Sequence, residues 1–433
     1  VVANTLSLSS YTGRFILTVA LFTLTLAGVV RRPRGWHEAW WTCGGAVLAL
    51  GLGLVRPAQA LGTIEAGREA LLFLLALLLL SLLLDKSGFF EWAAIVCARA
   101  SKGYGHRLFR NFLFLGALVT ITLSLDTTAV LLTPLVLVCA HRVGLPGRPF
   151  VVLCALVSNV ASLLLPVSNL TNLLLVHLTG ATFAQFVAVQ LLPQLAVLAV
   201  LAAGLWVRYG REIPARFDVS ALPEAASVVP DGPFFRGGWA VLLTVLGGYF
   251  LASRLGFPVW AVAIAGVAAL GGLAAAQGVL RLEWFRELPI GIFPFVAGLF
   301  VLVRAVENLG LEAPAVAWLQ KPHGTLALLA GTTGAAALLS NVLNNLPAVL
   351  FGRSVLVDAA APPAAVYGAL LGANVGPCFG VYGSLATVLV LAEARRRSVD
   401  VKGMELARLG VWLTPLLLLF GVAALWLVLG PLS

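Results

Sequence analysis

Three features of the sequence predict an all-α integral membrane protein made of two inverted-topology repeats. Hydrophobic residues make up 60% of the 433 positions and charged residues only 11%, less than half of the roughly 25% usual in soluble domains. Apolar runs long enough to cross a bilayer recur from one end of the chain to the other. Three polar motifs occur twice, in the same order, once in each half. Together these exclude an ordinary soluble enzyme, a disordered chain and a nucleic-acid-binding protein. Each repeat is expected to hold about five spans, with a re-entrant hairpin and an interrupted helix.

The elements follow from the hydropathy pattern. Apolar segments fall at 13–30, 43–55, 70–84, 111–138, 149–178 and 190–207, then at 237–253, 256–279, 289–303, 325–352, 364–391 and 406–430. The polar stretch 208–236 separates them, so residues 1–207 read as a first repeat, 208–236 as a cytoplasmic linker and 237–433 as a second repeat. The run after Arg14 lacks a basic leader and a small-residue cleavage site, and reads as the first span rather than a signal peptide. If 111–138 and 325–352 are hairpins that leave on the side they entered, 21 of the 28 Lys and Arg fall inside, among them Arg31, Arg32 and Arg34. The net charge of +10 is then a topology signal. Five spans per half is an odd number, so the second half enters from the opposite face. Segment 87–110, with Phe89, Phe90 and Trp92 among basic residues, reads as an interfacial amphipathic helix.

The repeated motifs sit where chemistry is expected. Leu84–Gly88 aligns with Val306–Gly310 at an offset of 222, and Asp126–Leu131 with Asn345–Leu350 at 219. Asn159 with Leu170–Leu173 aligns with Asn374 and Leu385–Val388 at 215. Polar, broken segments at matching places in two repeats point to a transporter and to its site. Asp126 is the only Asp or Glu between Glu91 and Glu212. Burying an unpaired carboxylate costs several kcal/mol, so it must be protonated, paired or facing a wet cavity. It is either a substrate- or proton-binding group or a structural Asp satisfied by backbone amides at the hairpin tip. Thr127 and Thr128 follow it, and Pro134 limits the helix beyond.

The matching tip runs Ser340-Asn341-Val342-Leu343-Asn344-Asn345, and Asn344 and Asn345 are expected to line the site because Asn disfavours helix interiors. The other polar pair is Asn159 with Ser168, Asn169, Thr171 and Asn172, against Asn374 with Cys378, Gly383, Ser384 and Thr387. Gly and Pro at this density predict unwound helices whose free backbone groups face a cavity, the only place where irregular backbone is tolerated at lipid depth. The plainer alternative is a kinked packing helix rich in small residues. Arg304 and Glu307 are expected to form a local ion pair at a span end. The five cysteines form no paired spacing and the five histidines no metal spacing, so neither a disulfide, a metal site nor a cofactor is expected.

The strings DTTAVLLTP, PVSNLTNLLLV, NNLPAVL and GANV…YGSLATVL are similar to motifs of the arsenite/antimonite permease family, within the ion-transporter superfamily. The resemblance runs over most of the chain. It implies a transport domain of two hairpin tips and two interrupted helices meeting near the bilayer midplane. It also implies a non-enzymatic carrier in the inner (cytoplasmic) membrane, exporting trivalent arsenic or antimony hydroxide by proton antiport or with a cytosolic ATPase subunit. In that reading Asp126 couples protons, and the Asn, Ser and Thr residues above give a neutral, polyol-like solute its hydrogen bonds. Cys378 lies inside a broken element, but a covalent metalloid site would need two or three converging thiols. A sodium/proton antiporter or another anion carrier of the same plan is the alternative.

Overall fold

The computed structural model describes residues 2–31 and 37–430. Arg32 and Arg34, which enter the basic count above, lie outside them. Twenty α-helices follow in order. The first are α1 (Val2–Arg31), α2 (Glu38–Gly51), α3 (Pro57–Ala66), α4 (Arg68–Lys86), α5 (Phe89–Ala100) and α6 (Gly105–Thr122). Next come α7 (Leu125–Thr127), α8 (Thr133–Arg142), α9 (Gly147–Val160), α10 (Leu170–Leu175) and α11 (Phe183–Tyr209). After the linker lie α12 (Gly232–Leu255), α13 (Val259–Ala276), α14 (Ile292–Glu307), α15 (Ala313–Leu319) and α16 (Thr325–Leu343). The chain ends with α17 (Asn345–Asp358), α18 (Pro363–Val375), α19 (Leu385–Arg396) and α20 (Gly403–Leu429).

Among the described residues, eight helical stretches are long and apolar enough to cross a membrane, or nine if α3 and α4, bent by 50°, count as one span. The chain is therefore a multi-pass membrane protein. The arms of the two interrupted helices, α9 with α10 and α18 with α19, are each shorter than the roughly 20 residues a span needs.

The helices form two compact units, and each unit draws on both halves of the sequence. The first unit holds residues 1–71, 289–323 and 347–361. In it α14 packs on α2, with Gly298 set directly against the Thr42 backbone. Asn308 closes the end of α14 by donating to the Leu54 carbonyl at 2.9 Å and accepting from Gln59 Nε2 at 3.2 Å. The expected Arg304–Glu307 ion pair is present at 3.0 Å, and Ser354 also donates to Glu307.

The second unit holds residues 72–288, 324–346 and 362–433. Helix association in lipid lacks a hydrophobic drive between helices and depends on close packing. Here Gly368, Gly372 and Gly376, one per turn of α18 and its end, lie against the backbone of α16. A Cβ on Gly376 would sit 2.5 Å from Ala337 Cα. The segment 87–110 is not one interfacial helix: it divides between α5 and the start of α6, and the phenylalanines of α5 face protein. Phe90 is fully buried, and Phe89 packs on Trp239 with ring centroids 4.7 Å apart. α5 packs on α6 and α8, and Phe89 and Trp92 meet Trp239 of α12, so its amphipathic pattern marks a protein contact.

The duplication in the sequence recurs in the elements. α9 ends at Val160 and α18 at Val375, while α10 starts at Leu170 and α19 at Leu385, so both ends of the break repeat at an offset of 215. Gly88 and Gly310, at an offset of 222, both take the left-handed backbone that glycine enters at no steric cost, with φ of +83° and +68°.

Candidate functional site

Each chain break in the second unit has a local cause. At the first, Ser124 is extended and caps α7, accepting from the Thr127 backbone N–H at 3.1 Å. Residues Thr128–Leu132 then form a π turn before α8. Pro134 lacks an N–H and its ring crowds the carbonyl one turn back, so the helix widens ahead of it. Thr133 Oγ1 donates to the carbonyl of Thr128 at 2.9 Å within this turn. The neighbouring hydroxyls pair among themselves: Thr127 with Ser81 and with Ser124, both at 2.9 Å, and Thr128 with Thr120 at 2.8 Å. Asp126, in the middle of this turn, is half-buried, and its carboxylate has no hydrogen-bond or ion-pair partner among the described residues. The structural reading, in which backbone amides satisfy it, does not hold.

The first interrupted helix breaks where Pro166 forces Leu165 into extended backbone, at φ −109° and ψ 145°. Asn169 restarts the chain as the cap of α10, its Oδ1 accepting from Thr171 N at 3.2 Å. Asn172 Nδ2 donates to the freed carbonyls of Ser162 at 2.7 Å and Leu165 at 3.0 Å. Gln194, from α11, serves the rest. Its Oε1 accepts from the N–H groups of Leu163 and Leu164, both at 3.1 Å, and its Nε2 donates to the Val160 carbonyl at 2.9 Å. Ser168 Oγ donates to the Ile121 carbonyl at 2.7 Å, which fastens the break to α6.

The two interrupted helices meet through the residues the sequence singled out. Asn374 Oδ1 accepts from Ser162 Oγ at 2.7 Å, Asn169 Nδ2 at 2.6 Å and Thr171 Oγ1 at 3.4 Å. Its Nδ2 donates to Asn172 Oδ1 and to the Leu370 carbonyl, both at 2.8 Å. Asn159 Nδ2 donates to Thr387 Oγ1 at 3.0 Å and to the Ala155 carbonyl at 2.9 Å. The bonding is reciprocal. With the offset of 215, Asn374 is the counterpart of Asn159 and Thr387 that of Asn172, and the bonds run Asn159 to Thr387 and Asn374 to Asn172. Contacts exchanged in this way are the mark of two-fold pairing between like elements.

The second turn is built differently. Asn344 has φ +78° and ψ 155°, a conformation an L residue adopts only at a cost of about 1–3 kcal/mol. Its Nδ2 donates to the Tyr382 carbonyl at 3.1 Å, and the Asn345 N–H donates to the Gly383 carbonyl at 2.9 Å. Asn341 Nδ2 reaches the Gly376 carbonyl at 2.8 Å. The turn is thus pinned along the unwound stretch 376–384, where a side chain on Gly383 would press on Pro377 and Asn341 Oδ1.

Of the expected site residues, Thr127, Thr128, Asn159, Ser168, Asn169, Thr171, Asn172, Asn374 and Thr387 are buried and hydrogen-bonded to one another, to neighbouring hydroxyls or to backbone. At the two turns and the second break, the Asp126 carboxylate and the buried hydroxyls of Ser384 and Ser340 have no partner among the described residues. α19, which starts directly after Ser384, packs against α9 and against the Asp126 turn. Cys378 is buried on the turn Gly376–Phe379, and no group of three metal-ligating side chains occurs among the described residues. The sequence reading missed Ser162 and Gln194. Gln190 and Gln194, one turn apart in the otherwise apolar α11, were the available signal for the latter.

A profile of the arsenical pump membrane protein family matches residues 17–429. Arsenical pump membrane proteins of Yersinia enterocolitica and Escherichia coli are 33% and 32% identical to this chain over 420 residues, covering 95% of this chain and 98% of theirs. The crystal structure of the Alcanivorax borkumensis YdaH transporter, described as having an unusual topology, shares the fold. Its TM-score is 0.57 at 19% identity, over 86% of this chain and 88% of that one.

Proposed function

This chain belongs to the arsenical pump membrane protein family, and on that premise we propose that it exports trivalent arsenic and antimony hydroxides across the cytoplasmic membrane in exchange for protons. The observation that carries the reading is the Asp126 carboxylate, unpartnered in a half-buried turn whose neighbouring side chains Ser124, Thr127 and Thr128 carry neutral hydroxyls. A neutral trihydroxide needs donors and acceptors but no counter-charge, which suits Ser384, Ser340 and the Asn345 amide. One carboxylate that can take up and lose a proton suits coupling.

The reciprocal bonds between Asn159 and Thr387 and between Asn172 and Asn374 support two inverted repeats meeting at a two-fold axis. Alternating access then comes from rocking one paired hairpin and interrupted-helix unit against the other, with the Asn374 cluster remade on the opposite side. Proton antiport is the coupling we favour over a cytosolic ATPase subunit, because Asp126 lies within the site itself.

Flux into everted vesicles tests the substrate. Arsenite and antimonite are expected to saturate and to be driven by a pH gradient, whereas sodium and succinate are not. Sodium uptake driven by the same gradient, with no arsenite flux, would instead make the chain a sodium/proton antiporter.

A further inference from the structure

A polar cavity lies where three helix ends come together. Arg148 at the start of α9, Arg208 at the end of α11, and Lys402, Glu405, Arg408 and Trp412 at the start of α20 line a space of about 410 Å³. Four cations face one carboxylate, and that carboxylate is already committed. Glu405 accepts from Arg148 Nε at 2.7 and 2.8 Å and from the Tyr209 hydroxyl at 2.8 Å. Arg208 is held by Glu212 at 2.5 Å and lies over the Tyr209 ring, 4.6 Å from its centroid. Lys402 and Arg408 are exposed and have no ion-pair partner among the described residues.

We propose that this pocket holds the phosphate of an anionic lipid headgroup. α11 and α20 are both apolar enough to span, so their adjoining ends lie where bilayer meets water. Trp206 and Trp412, 50% and 40% exposed, sit at the same ends, as aromatic residues do at membrane interfaces. Basic pockets between spanning helices at this depth recognise phosphate headgroups. Arg148 and Arg208 are fixed in place by Glu405, Glu212 and Tyr209, so they are preorganised, while Lys402 and Arg408 supply uncompensated charge. An acyl chain would run down the apolar flank of α20, where Leu416, Leu419 and Phe420 are exposed.

Native mass spectrometry of the full-length protein in mixed phosphatidylglycerol and phosphatidylcholine nanodiscs tests this without any flux readout. The wild type is expected to retain phosphatidylglycerol over phosphatidylcholine, and Lys402→Gln with Arg408→Gln to reduce that preference by about 30-fold. Arg281→Gln with Arg286→Gln, two exposed cations outside the pocket, removes the same charge and is expected to leave the preference unchanged. Both double variants change exposed side chains only, and a monodisperse protein confirms that they fold. Equal retention by the wild type and the pocket variant overturns the proposal. Displacement of the lipid by millimolar inorganic phosphate also overturns it, in favour of a soluble-anion site.

Discussion

The two turns that interrupt the chain, at Ser124–Asp126 and at Asn344–Asn345, fall at matching points of the repeat but are stabilised in different ways. The first satisfies its hydroxyls among themselves and leaves a carboxylate without a partner. The second spends its amides on backbone carbonyls of the unwound stretch beside it. Under the proposed function, the turn with the unpartnered carboxylate is the one suited to proton coupling and the turn pinned to backbone is the one suited to anchoring.

Substitutions separate these roles, beginning with the cluster both halves share. Asn374→Leu strands Asn169 Nδ2 and Asn172 Oδ1 while Ser162 keeps the Asn159 carbonyl, and at about 1–3 kcal/mol for each buried group left unpaired the loss should be about 2–6 kcal/mol. It should show as the largest fall in thermal midpoint of the set, measured in detergent. Gln194→Leu leaves the N–H groups of Leu163 and Leu164 and the Val160 carbonyl without partners, at a cost of about 2 kcal/mol if the backbone partly relaxes. Asn344→Gly loses two side-chain hydrogen bonds, one of them long at 3.5 Å, but relieves a positive φ, so its stability should stay within about 1 kcal/mol of the parent. A larger loss there would give the second turn more than an anchoring role.

Much of this was legible in the sequence because breaks in lipid carry a distinct composition. Asp126, the paired Asn motifs and the Gly and Pro clusters stand out against Leu, Ala and Val, and they mark both interrupted helices and both turns. What the residues could not convey is which polar groups satisfy one another. Asn169, Asn172 and Asn374 read equally well as substrate ligands, and only their mutual distances reveal a bonded cluster whose atoms are already used. Gln194 serves a break some 30 residues away, so Gln190 and Gln194 mark α11 as polar without showing which backbone groups it satisfies. The division into compact units was equally hidden, because each unit joins segments far apart in the chain. The aromatic helix at 89–100 reads the same whether lipid or protein covers it.

The central claim is that the two turns differ in function, and proton-coupled arsenite flux in everted vesicles tests it most directly. Asp126→Asn should still fold and bind but lose the response of flux to a pH gradient, while Asn344→Gly should keep that response at the parental ratio. Retention of pH-driven flux by Asp126→Asn, or its loss in Asn344→Gly alone, would contradict the account.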